Sequence, residues 1–303
     1  MVKKLLLLLS TLVLITSCSN KKNEIKNSKN FDLTVTSRED GSGTRKSFIE
    51  QVGLIKENKK GNYEDMTTDN SMVINSTNGV LKAVGVDKTA IAYISLTALD
   101  DSVKAIKIDG VSPNKATIES GQYKLQRPFS LAYKKDFQTD LSKDFLEYVK
   151  SKSAKKLIEE DGLLALTNEK EYKAKNIQGK LTITGSSSLS SIVEKLAENY
   201  KKLNKNVEVE VLSNESLTGL KNVKDNVVDI AMISNKLHDK SLSSEIFAID
   251  GIAIIVNKEN TQINDLTMKE LRDIYRGEIR NTGELKWNLL RKNLEKFYFW
   301  FLP

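Results

Sequence analysis

The sequence predicts an α/β protein built of two lobes. Two observations carry this reading. The same opening unit (a short strand, a Gly/Ser-rich loop and a helix) occurs at 33–54 and again at 181–203, and that unit is the first step of an α/β fold. The remaining chain alternates apolar runs with helical patterns, and its 303 residues suit about two domains of roughly 100–200 residues each.

Leu33-Thr-Val-Thr36 alternates as a strand, followed by Ser37-Arg-Glu-Asp-Gly-Ser-Gly-Thr44 and a helix over 45–54. Ala90-Ile-Ala-Tyr-Ile94 and Phe129-Ser-Leu-Ala-Tyr133 read as buried strands. Helices are predicted over 145–150 and 154–160, the second ending at Gly162. Leu181-Thr-Ile-Thr184 leads through Gly185-Ser-Ser-Ser188 into a helix over 189–203. In that helix Leu189, Ile192, Val193, Leu196 and Ala197 recur at the spacing of one buried face. The Val/Glu alternation over 207–212 predicts a half-exposed strand, and Asp229-Ile-Ala-Met-Ile233 and Ile252-Ala-Ile-Ile-Val256 predict core strands. A last helix spans 266–275 with Thr267 as its N-cap.

A hydrophobic fraction of 39% with 29% charged residues describes a globular chain, not a disordered or fibrous one. One Cys and one His exclude an intrachain disulfide framework and cannot build a zinc site. The single His also argues against a Ser-His or Cys-His catalytic machine. The surplus of seven positive charges is spread along the chain, which disfavours nucleic acid as a partner.

At the N-terminus, Lys3 and Lys4 precede an apolar run from Leu5 to Thr16. That run is too short for a bilayer core of about 30 Å and suits a secretory signal over 1–17. It ends at Ile15-Thr16-Ser17-Cys18, which resembles the lipobox of bacterial lipoproteins and implies lipidation of Cys18. The polar, Lys/Asn-rich stretch over 18–30 is expected to be a flexible tether.

The two Gly/Ser loops are candidate anion sites. A helix N-terminus presents free N–H groups and about half a positive charge, small residues let the backbone come close, and Arg38 adds a bidentate donor suited to tetrahedral oxyanions. Taken singly, Ser and Thr before a helix usually only cap it; two such loops opening parallel halves favour function. Gly-Ser-Gly-Thr-Arg-Lys-Ser47 is not a nucleotide P-loop, because Arg45 stands where a glycine is needed. His238 lies in a polar stretch and reads as solvated surface, not as a base for a serine nucleophile.

The stretch from Ser37 to Arg45 resembles the signature of the phosphate-binding proteins that serve bacterial phosphate ABC importers. Supporting matches are Asn75-Ser-Thr-Asn-Gly-Val80, Ala90 to Leu96, Arg127-Pro-Phe129, Thr184-Gly-Ser-Ser-Ser-Leu189, Asp250 to Asn257, Leu266 to Leu271 and Tyr275-Arg-Gly-Glu-Ile279. The resemblance implies a two-lobed, periplasmic-binding-protein-like (type II) fold with a hinge. The Gly-Ser-Ser-Ser half comes first in the family's common arrangement and second here, which implies a circularly permuted order. One lobe would comprise 31–126 with 262–286 and the other 127–261, with hinge crossovers near Arg127-Pro-Phe129 and Ile254-Ile-Val-Asn257.

Carried over residue by residue, the resemblance implies phosphate contacts from Arg38, Ser42, Gly43 and Thr44 in one lobe and from Ser187, Ser188, Ser216 and Ser234 in the other. Asp40 is expected to orient Arg38. Asn235 stands where relatives carry an aspartate or arginine, so its amide oxygen, or another group, must accept the phosphate proton. No cofactor and no metal is expected. The implied partners are inorganic phosphate and an importer's permease and ATPase complex, with a monomer held by its lipid at the outer face of the membrane. Alternatives are a binder of sulfate, molybdate or tungstate, or a sensor or adhesin on the same scaffold; an enzyme such as a phosphatase is disfavoured. The tail over 287–303 ends in Phe297-Tyr-Phe-Trp-Phe-Leu-Pro303, which is expected to be a frame-shifted or mispredicted end rather than a docking segment.

Overall fold

A computed structural model describes residues 30–57 and 63–285. The expected signal segment, Cys18, the tether up to residue 29 and the tail over 287–303 lie outside the described residues.

In chain order the main elements of the first lobe are β1 (Thr34–Arg38), α1 (Gly43–Val52), β2 (Met72–Ile74), α2 (Thr77–Val86), β3 (Ala90–Ser95) and β4 (Val103–Ala105). The chain then crosses through β5 (Gln126–Tyr133) into α3 (Asp140–Val149), α4 (Lys152–Glu160), β6 (Gly179–Ser186), α5 (Ser190–Leu203), β7 (Val207–Asn214), α6 (Ser216–Lys224) and β8 (Ile230–Ile233). It returns through β9 (Ser243–Asn257) and ends on α7 (Met268–Tyr275). The strands lie side by side in the order β7-β6-β8-β5-β9-β3-β1-β2, with β4 pairing β9 off this path.

The predicted strands form where their patterns placed them. β1 lies parallel to β2 and β3, and β6 lies parallel to β7 and β8. Period-2 alternation divides β3 and β9 between two cores: Ile91, Tyr93, Ile252, Ile254 and Val256 face α1 and α7, and Ala90, Ala92, Ile94, Ala253 and Ile255 face α2. In the second lobe Leu181, Ile183, Phe129 and Leu131 pack under α3 and α5 through Phe145, Tyr148, Ile192, Val193 and Leu196. The helix capped by Thr267 forms with a full capping box, Thr267 and Glu270 bonding each other's backbone N–H.

The hinge differs from expectation. β9 is one strand of 15 residues whose first part pairs with β5 and whose second part, Ile252 to Val256, pairs with β3. The crossing from lobe to lobe falls at Asp250–Ile252, and Ile254-Ile-Val-Asn257 lies inside the first lobe. The stretch following Gly251, expected in the second lobe as far as residue 261, therefore packs with the first. Its side chains fill that lobe's core on both sheet faces, so burial, not the motif, sets the boundary.

Gly185 joins strand to loop at φ 137°, opposite Met232 in the ladder. A Cβ there would stand 2.3 Å from the Met232 carbonyl oxygen, which is backbone and cannot swing aside. Gly185→Ala is expected to cost more than about 1 kcal/mol of stability and to lower the melting temperature by at least about 2–4 °C, measured by scanning calorimetry.

Candidate functional site

The site lies where β1, β6 and β8 deliver their C-terminal ends into loops. After β1 the chain turns through Glu39 to Gly41, and Ser42 caps α1 by accepting from Arg45 N–H at 3.3 Å. The N–H groups of Gly43 and Thr44 then open the helix as first-turn donors without an intrahelical acceptor. An aromatic brace holds this loop: Phe48 of α1 stacks on Tyr93 with ring centroids 4.0 Å apart. The Tyr93 hydroxyl meets Ser37 Oγ at 2.9 Å and accepts from Arg38 N–H at 3.1 Å. Burial pushes the Tyr93 phenol up to about 12, so it stays protonated at neutral pH.

The opposite lobe meets this loop directly. Thr44 Oγ1 lies 2.8 Å from Ser188 Oγ, and Arg38 Nη2 donates to Ser187 Oγ at 3.3 Å. Ser234 Oγ lies 2.8 Å from Ser186 Oγ and 3.5 Å from Ser216 Oγ. Gly43 packs against this serine group: a Cβ at Gly43 would stand 2.4 Å from Ser216 Oγ, 2.5 Å from Ser234 Oγ and 2.7 Å from Asn235 Oδ1. Leu217 N–H donates to the Gly41 carbonyl at 3.2 Å and Ser47 Oγ to the Ser234 carbonyl at 3.2 Å, tying the loops together across the cleft. The structure thus brings Arg38, Gly43, Thr44, Ser187, Ser188, Ser216 and Ser234 together between the lobes, while the Ser42 side chain caps α1 next to Gly43.

Asn235 is buried at the same place. Its Nδ2 donates to the Lys236 carbonyl at 2.8 Å, which leaves Oδ1 as the atom turned toward Gly43. The amide therefore offers an acceptor among donors.

Asp40 does not orient Arg38. Glu39 does, accepting from Nε and Nη2 at 2.7 Å each, and both residues are buried. The Asp40 side chain is 96% exposed and pairs with Arg45 Nη1 at 3.1 Å. The reason is local: the chain turns sharply after β1, so successive residues leave in different directions and the cleft receives Glu39.

Besides Glu39, three participants lack an assignment from the sequence. Thr77 opens α2, and its Oγ1 accepts from Arg38 Nη1 at 3.3 Å and lies 3.4 Å from both Ser187 Oγ and Ser188 Oγ. Its signal is a pair of hydroxyl residues, Ser76 and Thr77, at the start of a helix, a position that the two Gly/Ser loops also fill with hydroxyls. Arg127 and Asp250 form an ion pair at 2.9 Å, with side chains 0% and 1% exposed. Arg127 at the start of one apolar run and Asp250 just before another are charges in stretches that pack inside the fold, and a buried charge calls for a partner.

The electrostatics follow. Arg38 with Glu39, and Arg127 with Asp250, are each close to neutral as pairs. The positive field comes from the starts of α1, α2, α5 and α6, each carrying about half a charge. Among the described residues no group of three or more His, Cys, Asp or Glu side chains could hold a metal ion. His238 is exposed and lines a groove with Asp40, Arg45 and Tyr63, away from the buried serines.

Two α/β lobes joined by crossing strands, meeting at a buried group of hydroxyls and one arginine, define a periplasmic-binding-protein-like fold. The PBP superfamily domain model matches residues 9–153 and 171–295. Phosphate-binding protein PstS 2 of Streptococcus agalactiae is 40% identical over 90% of this chain and 93% of its own length, and PstS 2 of Streptococcus pneumoniae is 39% identical over 90% and 94%. A crystal structure of the phosphate-binding protein of a phosphate ABC transporter from S. pneumoniae superposes with a TM-score of 0.67 at 38% identity, covering 84% of this chain and 99% of that one. The chain belongs to the PBP superfamily and, within it, to the family of bacterial phosphate-binding proteins.

Proposed function

We propose that this protein captures one inorganic phosphate between its lobes and delivers it to an ABC importer. The observation that carries the reading is the meeting of Ser42 to Thr44 with Ser187, Ser188, Ser216 and Ser234 around Arg38, half of the donors from each lobe. Removing a dianion from water costs several kcal/mol per charge, and each charge-assisted hydrogen bond returns about 1.5–3 kcal/mol. One lobe's donors roughly offset that cost, and both together leave a surplus. Phosphate therefore favours the closed form, and closure is what an importer's permease and ATPase complex would read.

Phosphate at neutral pH keeps a proton that sulfate lacks. The Asn235 Oδ1 acceptor can receive it, which favours phosphate. Calorimetry with the lipid-free protein tests this: one phosphate should bind per chain and more tightly than sulfate. Tighter sulfate binding, or no binding of phosphate, overturns the reading.

The same proposal places the protein as a monomer on the outer membrane face, held by lipid on Cys18, with no nucleic acid partner. The lipobox-like Ile15 to Cys18 supports the anchor. It binds and releases rather than turning over; in support, among the described residues no hydrogen bond joins Ser187, Ser188, Ser216 or Ser234 to a histidine or carboxylate. The order of halves is proposed to be a circular permutation. In support, the described ends adjoin: Leu33 N–H donates to the Arg280 carbonyl at 2.7 Å and Thr282 N–H to the Phe31 carbonyl at 3.0 Å, and adjoining ends are what a permuted chain needs.

A further inference from the structure

Arg127 and Asp250 stand directly opposite each other on β5 and β9, at the point where both strands pass between the lobes. Arg127 Nε donates to Asp250 Oδ2 at 2.9 Å, and Ser95 Oγ donates to the same oxygen at 2.9 Å. The guanidinium lies 5.1 Å from the centre of the Phe129 ring. Its remaining arm leaves the pair: Nη1 donates to Thr44 Oγ1 at 2.5 Å and to the Ser234 carbonyl at 3.4 Å. A buried, packed and ion-paired guanidinium is thus aimed at one hydroxyl of the anion site.

The chemistry of that contact is one-directional. A guanidinium has donors and no acceptor, so Thr44 Oγ1 must accept from Arg127. The hydroxyl's own hydrogen is then free only to be donated onward, toward the cleft where Ser188 Oγ stands at 2.8 Å. An unconstrained threonine hydroxyl rotates and can present either a hydrogen or a lone pair. A lone pair facing an anion repels it.

We infer that Arg127 is a positioning residue of the anion site, one that fixes the Thr44 hydroxyl as a donor to the bound oxyanion, with Asp250 holding the guanidinium in place from the other crossing strand. The inference rests on the phosphate-capturing reading. It adds a second arginine that acts through another side chain, and it ties one ligand contact to the strands of the hinge.

The test is a cycle of variants read by calorimetry with inorganic phosphate. Arg127→Met with Asp250→Leu removes both charges together, since replacing a buried pair by apolar residues of similar size is often tolerated. This pair and Thr44→Val should each weaken binding at least about tenfold, the loss of one charge-assisted hydrogen bond. All three changes combined should be no weaker than Thr44→Val alone, within about twofold. Losses that multiply, or a charge-free pair that binds as the wild type does, overturn the inference. Should the charge-free pair show no melting transition, Arg127→Lys serves instead: an ammonium also only donates, so it should keep binding within about threefold, and a tenfold loss in that variant with a normal melt overturns the inference. Wild-type protein that binds neither phosphate nor sulfate overturns the phosphate-capturing reading and this inference together. Wild-type binding with multiplicative losses overturns this inference alone.

Discussion

Arg38→Ala is expected to weaken phosphate binding by at least about 1.5–3 kcal/mol, the value of one charge-assisted hydrogen bond, or roughly ten- to more than a hundredfold in Kd. The loss should run to the upper part of that range because the guanidinium does two things at once. It reaches Ser187 across the cleft, and it neutralises Glu39, whose side chain is 11% exposed. Without Arg38 a nearly buried carboxylate stands beside the anion with no counter-charge, and like charges at close range repel strongly in a dry site. Titration calorimetry measures the change. Neighbouring variants sharpen it: Glu39→Gln, which loosens the clamp on Arg38, should weaken binding, and Asp40→Asn should not. The reverse order would show that Asp40, not Glu39, steers the arginine in solution.

Gly43→Ala is expected to abolish tight binding while leaving the protein folded. Gly43 is not in the left-handed backbone region, and alanine favours a helix over glycine by about 1 kcal/mol, so the first lobe tolerates the methyl group. The collision is with the other lobe, whose Ser216, Ser234 and Asn235 side chains all lie within 2.7 Å of the added atom. Serine rotamers could move away, but their hydroxyls would then leave the anion; otherwise the lobes stay apart. Either way at least two donors are lost, about 3–6 kcal/mol at the value of a charged hydrogen bond and more than a hundredfold in affinity. Calorimetry should show the loss, scanning calorimetry an intact melt, and small-angle scattering no compaction when phosphate is added.

Much of this was legible locally, and what was not has a physical reason. The unbroken apolar runs at Ala90 to Ile94 and Ile252 to Val256 became core strands because a five-residue apolar stretch suits a strand buried on both faces and is short for a helix. The Thr267 cap was readable because a hydroxyl before a helix, with Glu270 three residues on, satisfies two backbone N–H groups at once. The helix Thr77–Val86 carries two glycines, Gly79 and Gly85, which lower its intrinsic propensity, and packing of Val80, Leu81 and Val84 against the sheet decides it instead. β9 did not read as one strand because Asp250-Gly251 interrupts its apolar pattern. Partners far away in sequence, Arg127 with its counter-charge and Ser95 with its hydroxyl, offset the burial of an aspartate there. Glu39 and Asp40 are both carboxylates in the right motif, and the direction of a single turn decides between them.

The most direct measurement of the central claim is a crystal structure of the protein grown with phosphate. It should show one tetrahedral density between the starts of the two Gly/Ser-led helices, touching Arg38, Gly43 and Thr44 from one lobe and Ser187, Ser188 and Ser234 from the other. Phosphate held by one lobe alone, or bound elsewhere on the surface with the lobes closed on each other, would contradict the account.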